Sequence, residues 1–110
     1  MPSILPVDLD SGPVSFKAFM TAKKPTGAPK RFLAIAAWLL EQRKVAVINA
    51  DHVYTCYRSL NWNAPPDPSK PFRYGKRKGW FDSKGDGQYS INHVGLGVVN
   101  SMPGPQGLPE

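Results

Sequence analysis

Between Lys70 and Lys78 the chain places five cations in nine residues, Lys70, Arg73, Lys76, Arg77 and Lys78, with Tyr74 among them. Guanidinium and ammonium groups at that density attract a polyanion, because their fields add and each phosphate they neutralise releases counterions. The wider charge distribution agrees. All fourteen Lys and Arg lie between Lys17 and Lys84, where only Glu41, Asp51, Asp67 and Asp82 oppose them, so the formal net charge of +6 understates the basicity of the middle of the chain. A solvated face that keeps a small protein dispersed accounts for scattered charge, but less well for a run of this density.

Other chemistry is poorly provided for. His52 and Cys56 stand one helical turn apart and could face one metal ion, but such a site needs three or four ligands, and His93 is the only other histidine. Cys56 shares an apolar stripe with Val53 and Leu60, which predicts a small buried group and not a nucleophile. Gly85 and Gly87 belong to a hairpin turn and open no helix, so they form no phosphate cradle, and no carboxylate pair stands out. The reading is of a protein that binds and does not catalyse, without metal or cofactor. Trp62 and Tyr74, beside loops and basic residues, are the rings whose exposure would favour stacking on single-stranded bases; Phe32, Tyr57 and Phe81 fall on inward stripes.

The elements that must position these groups follow from periodicity and caps. Ser15 is an N-cap for a short helix to about Lys24, with Phe16, Phe19 and Met20 on one stripe. Pro25 and Gly27 end it. Pro29 sits in the first turn of a longer helix to about Lys44, whose apolar face is Phe32, Ile35, Ala36, Leu39 and Leu40. Trp38 falls off that stripe and needs a second cover, for which the first helix is the nearest candidate. Val45 to Ile48 reads as a small strand. Asn49 caps a helix to about Leu60 with Val53, Cys56, Tyr57 and Leu60 inward, and with Asp51, Thr55, Arg58 and Ser59 toward solvent.

After the break at Asn61 to Pro66, a helix from Ser69 to Lys78 tolerates Pro71 in its first turn and puts Lys70, Arg73 and Arg77 on one face with Tyr74 beside them. Phe72 and Gly75 share the other face. Trp80 to Asp82 forms a strand, Ser83 to Gly87 a five-residue loop, and Gln88 to Ile91 the return strand. Asn92 caps a last helix to about Met102, in which Val94 and Val98, or Leu96 and Val99, meet the core.

At 110 residues, with 41% hydrophobic side chains, the chain suits one domain. The expected division is a flexible segment over 1–14, the domain over 15–102 and a flexible Pro/Gly-rich tail over 103–110. The longest apolar run, Phe32 to Leu40, is far short of the roughly 20 residues that span a bilayer as a helix. A lone cysteine and a first stretch without Lys, Arg or a long apolar run place the chain in the cytoplasm, with no membrane partner.

Core helix, short strand, helix, turn, basic helix, hairpin and closing helix is an order that resembles the winged helix-turn-helix superfamily, from about Pro29 to Met102. The stretch that carries most of the likeness is Lys76-Arg77-Lys78-Gly79-Trp80-Phe81, the Gly85 to Gly87 turn, Tyr89-Ser90-Ile91-Asn92 and Gly95. The resemblance implies an α+β, mostly helical fold with a three-helix core, a hairpin wing and a closing helix. It also implies duplex DNA as the partner, in the manner of a transcriptional regulator. Lys70, Arg73, Tyr74 and Arg77 would then face the major groove or its rim, Lys76 and Lys78 would add to the nucleic-acid-binding set, Lys84 would sit at the wing tip, and Arg58 and Thr55 would touch phosphate. A homodimer would present two copies through the first helix, Trp38 or the Gly95/Gly97 helix. The other reading of the same scaffold is an interaction module that docks an acidic protein surface. The sequence departs from the superfamily in two places: Asn63 to Pro68 is a long turn, and Pro71 with Gly75 shortens the basic helix.

Overall fold

The computed structural model describes residues 4–102; the tail expected over 103–110 lies outside the described residues. In chain order the elements are α1 (Phe16–Lys23), α2 (Ala28–Arg43), α3 (Ala50–Ser59), α4 (Ser69–Arg77), β1 (Phe81–Gly85), β2 (Gln88–Ile91) and α5 (His93–Asn100). The result is a small α+β domain, about half helical, with one antiparallel hairpin among the described residues.

The helix starts follow local chemistry. Ser15 accepts the Ala18 backbone N–H at 3.2 Å, Asn49 accepts that of Asp51 at 2.9 Å, and Asn92 accepts that of Gly95 at 3.0 Å, each satisfying a donor that the first helical turn leaves without a partner. At the far end of α4, Gly79 takes φ of 82° while Trp80 N–H donates to Gly75 O and Gly79 N–H to Lys76 O. These two bonds make a Schellman stop, which turns the chain directly into β1.

Helix α2 is the centre, touching α1, α3, α4, β2 and α5. Its burial is wider than the single stripe expected. Every residue from Phe32 to Leu39 is buried, because the surrounding elements close on all sides of the helix, while Leu40 is only half-covered. Trp38 is fully buried, with the Phe16 ring edge-on at 5.4 Å and its indole N–H donating to Val14 O at 3.1 Å. It cannot be the dimer contact suggested for it.

Three further expectations change. Of Val45 to Ile48, only Ile48 pairs, exchanging both backbone bonds with Tyr89 at 2.8 and 2.9 Å; Ile48 is thus a one-residue third strand beside β2. The hairpin closes through Asp86-Gly87 alone, both with positive φ, and not through a five-residue loop. An Asp-Gly pair in that conformation matches the right-handed twist of two strands, so β1 continues to Gly85, with a bulge at Lys84 where the register shifts. The third change concerns residues 5–14, expected to be free of the domain. Leu5 N–H donates to the Thr55 hydroxyl at 2.8 Å, Arg43 donates to Asp8 O and Ser11 O at 2.5 and 2.6 Å, and Val7 and Leu9 pack against the core.

In α5, Gly95 and Val99 are buried and Leu96 and Val98 are partly so, whereas Val94 is 45% exposed, so Leu96 and Val99 face the core with Val98 beside them and Val94 does not. A Cβ at Gly95 would lie 2.6 Å from Trp80 O, so glycine alone lets α5 sit this close to the hairpin. The helix ends at Asn100, two residues earlier than expected.

Candidate nucleic-acid interface

Helix α4 is a helix despite Pro71 and Gly75, and both residues serve its placement. Pro71, in the first turn, is buried against the domain and removes no intrahelical bond. Gly75 faces Phe81 so closely that an added Cβ would meet the ring at 2.5 Å. An aromatic seam backs the helix: Phe72 lies 4.9 Å from Phe32, 5.5 Å from Phe81 and stacked at 4.6 Å on Tyr89. With Phe72 anchored, the opposite face of α4 has one orientation.

That face carries Lys70, Arg73, Tyr74 and Arg77, which together with Pro29 and Pro71 line one surface hollow. All four are exposed, Tyr74 at 38%. Tyr74 is held at its edge by Trp80, 5.9 Å away, and the Lys78 ammonium lies 5.5 Å over its ring. Lys76 is exposed on the flank of the helix, outside the hollow. The helix contains no acidic residue. Just before it, Asp67 accepts the hydroxyl and backbone N–H of Ser69 at 2.5 and 3.1 Å; these bonds hold its carboxyl below the usual range, with Arg73 and Lys70 assisting. Asp67 thereby reinforces the start of α4.

The other predicted contacts divide. Lys84 is exposed on β1 at the bulge, on the hairpin and apart from the α4 hollow. Arg58 is exposed but lines a different hollow, with Tyr54, Tyr57, Asn61, Trp62, Asn63 and Ala64. Thr55 is removed from the site. It is buried, its hydroxyl donating to Asp51 O at 2.8 Å and accepting from Leu5 N–H, because the N-terminal segment covers the face of α3 that was read as open.

Two residues missed from the sequence belong here. Pro29 and Arg31, in the first turns of α2, stand beside the two hollows: Pro29 lines the α4 hollow, and the Arg31 guanidinium lies 4.4 Å over the Trp62 ring. A signal existed. Lys30 and Arg31 are cations at a helix start, where the peptide dipole disfavours them, a local misfit visible in the sequence.

Cys56 is buried, and burial pushes its thiol up to about 12. No three His, Cys, Asp or Glu side chains among the described residues are grouped to hold a metal ion, and no described helix is long and apolar enough to cross a membrane. Comparison with family models, curated proteins and solved structures finds no match for this chain.

Proposed function

We propose that the chain is a winged helix-turn-helix domain that binds duplex DNA through α4, as a regulator or architectural protein would. The observation that carries this is the gathering of Lys70, Arg73, Tyr74 and Arg77 on one exposed, acid-free helix face held rigid from behind by Phe72. Arginine can fork onto a guanine edge or pair with phosphate, lysine pairs with phosphate, and a fixed helix presents both in one register. The order α2, Ile48 bridge, α3, α4, hairpin and α5 supports the wing assignment, with Lys84 as a phosphate contact from the hairpin.

Binding of a labelled duplex across a salt series tests the reading. Affinity falls steeply with salt, and Arg73→Ala with Arg77→Ala weakens it and lowers the slope of log affinity against log salt by about 2, since each phosphate contact contributes about 0.9. Unchanged duplex binding in that double variant sinks the assignment of α4. Retention by an acidic protein from nuclease-treated lysate, with no duplex binding, would favour the protein-docking reading of the same face.

A further inference from the structure

On the other flank of the first turn of α2 lies the second hollow, formed where α3 ends and the chain doubles back. Pro29 and Arg31 are two residues apart, about 200° around a helix, so the two hollows straddle a single turn. The doubling back is local chemistry: Asn61 adopts φ of 58°, a left-handed conformation that asparagine tolerates, and Trp62 N–H then donates to Tyr57 O at 2.9 Å. Tyr54, Tyr57, Trp62, Asn61, Asn63 and Arg58 give the lining three rings, two carboxamides and one guanidinium, and no carboxylate.

The Trp62 ring is clamped. Arg31 lies 4.4 Å over it, and the Tyr57 ring meets it at 5.3 Å and 85°, so the indole is fixed before any ligand arrives. The Tyr57 hydroxyl and Arg31 Nε are both buried with no well-formed hydrogen bond, and the two side chains neighbour each other. Burial pushes the Tyr57 hydroxyl up, with Arg31 partly opposing through its charge and its hydrogen-bonding reach.

We propose that this hollow receives one unpaired nucleotide of a strand that leaves the duplex held on α4. The base stacks against the Tyr54 ring, the Asn61 and Asn63 carboxamides meet its edge, and Arg58 pairs with its phosphate. Carboxamides both donate and accept, so they suit any base edge, and stacking on a ring is tolerant of sequence. The domain is accordingly a reader of junctions between paired and single-stranded nucleic acid. This rests on the duplex reading of α4, and the two can fail separately.

The experiment compares a blunt duplex with the same duplex bearing a short single-stranded extension, by fluorescence anisotropy. In the native protein the extension tightens binding about 5- to 150-fold, the range for one stacked base. Tyr54→Ala with Asn63→Ala abolishes that gain and leaves blunt-duplex affinity unchanged, whereas Arg73→Ala with Arg77→Ala weakens both ligands. Tyr54 is half-buried, so Asn63→Ala alone, at an exposed loop position, supplies a variant that keeps the fold; it reduces the gain. Equal affinity of the native protein for the two duplexes, or a gain that survives the double variant, overturns the proposal. Should neither duplex bind, the α4 reading has failed, and adenosine monophosphate decides the hollow by itself: shifts of the Trp62 indole N–H and the Asn61 and Asn63 side-chain amides uphold it, and their absence overturns it.

Discussion

Substituting Gly75 by alanine should destabilise the domain although it improves the helix. In an isolated helix the change is worth about 1 kcal/mol in favour of alanine. Here the new Cβ would lie 2.5 and 2.8 Å from two atoms of the Phe81 ring, nearer than carbon atoms pack. The ring has nowhere to go. Phe81 is 2% exposed and braced by Phe72 and Tyr89 at centroid distances of 5.5 and 6.1 Å, so relief requires α4 to move off the hairpin. Overpacking of that kind costs about 1–3 kcal/mol, and a braced ring belongs at the upper end, leaving a net loss of about 2 kcal/mol. For a domain of this size that lowers the melting temperature by about 10 °C. Gly97 in α5 is the control, since a Cβ there meets nothing within 4 Å; Gly97→Ala gains up to about 1 kcal/mol and raises the midpoint. Thermal unfolding followed by circular dichroism reads both. Adding Phe81→Leu to Gly75→Ala should recover part of the loss, a positive coupling between neighbours. A Gly75→Ala protein that melts at or above the parent would refute the claim that close approach, and not helix propensity, determines this position.

Three other outcomes are expected. Lys44 ends α2 with φ of 59°, a conformation that costs a side chain about 1 kcal/mol, so Lys44→Gly should raise the urea midpoint; an unchanged or lower midpoint counts against it. His52 Nδ1 accepts the Asn49 backbone N–H at 3.0 Å, and burial holds the ring's pKa below its ordinary 6.5, with Asp51 partly opposing. The fold therefore prefers the neutral ring: its contribution is complete above 6.5 and is lost as pH falls through the lower folded value, so His52→Gln should flatten stability between about pH 7.5 and 5. An equally steep profile in the variant would rule this out. Cys56, with its thiol raised to about 12, should resist a disulfide-exchange reagent at neutral pH in the native state and react fully in denaturant; rapid native labelling would contradict its burial.

Much of the framework was legible because it is written locally. Ser15, Asn49 and Asn92 announce helix starts within three residues of the bonds they make, and the spacing of Lys70, Arg73, Tyr74 and Arg77 places them on one face whatever lies behind the helix. Features set by distant partners were not. Thr55 looks open on a helical wheel, and the N-terminal segment covers it, with Leu5, 50 residues away, bonding its hydroxyl. Phe32 to Leu39 shows one apolar stripe, yet the small residues between let neighbours approach from every side. The return strand Gln88–Ile91 was legible, but the first strand is read as ending too early because Ser83, Lys84 and Gly85 have the composition of a loop, while the Asp86-Gly87 turn suffices to reverse the chain. The Arg31 to Trp62 stack joins two elements whose meeting neither sequence segment specifies.

The seating of residues 5–14 determines how the protein can be shortened. A fragment cut at Ser15, where the first helix is capped, discards the acceptor of the Trp38 indole at Val14 and both carbonyls gripped by Arg43, leaving a wet edge on the innermost tryptophan. Expression truncations, fusion joints and protease-trimmed crystals therefore belong upstream of Leu5, since a boundary drawn at the helix cap would cut away part of the protein's own wall.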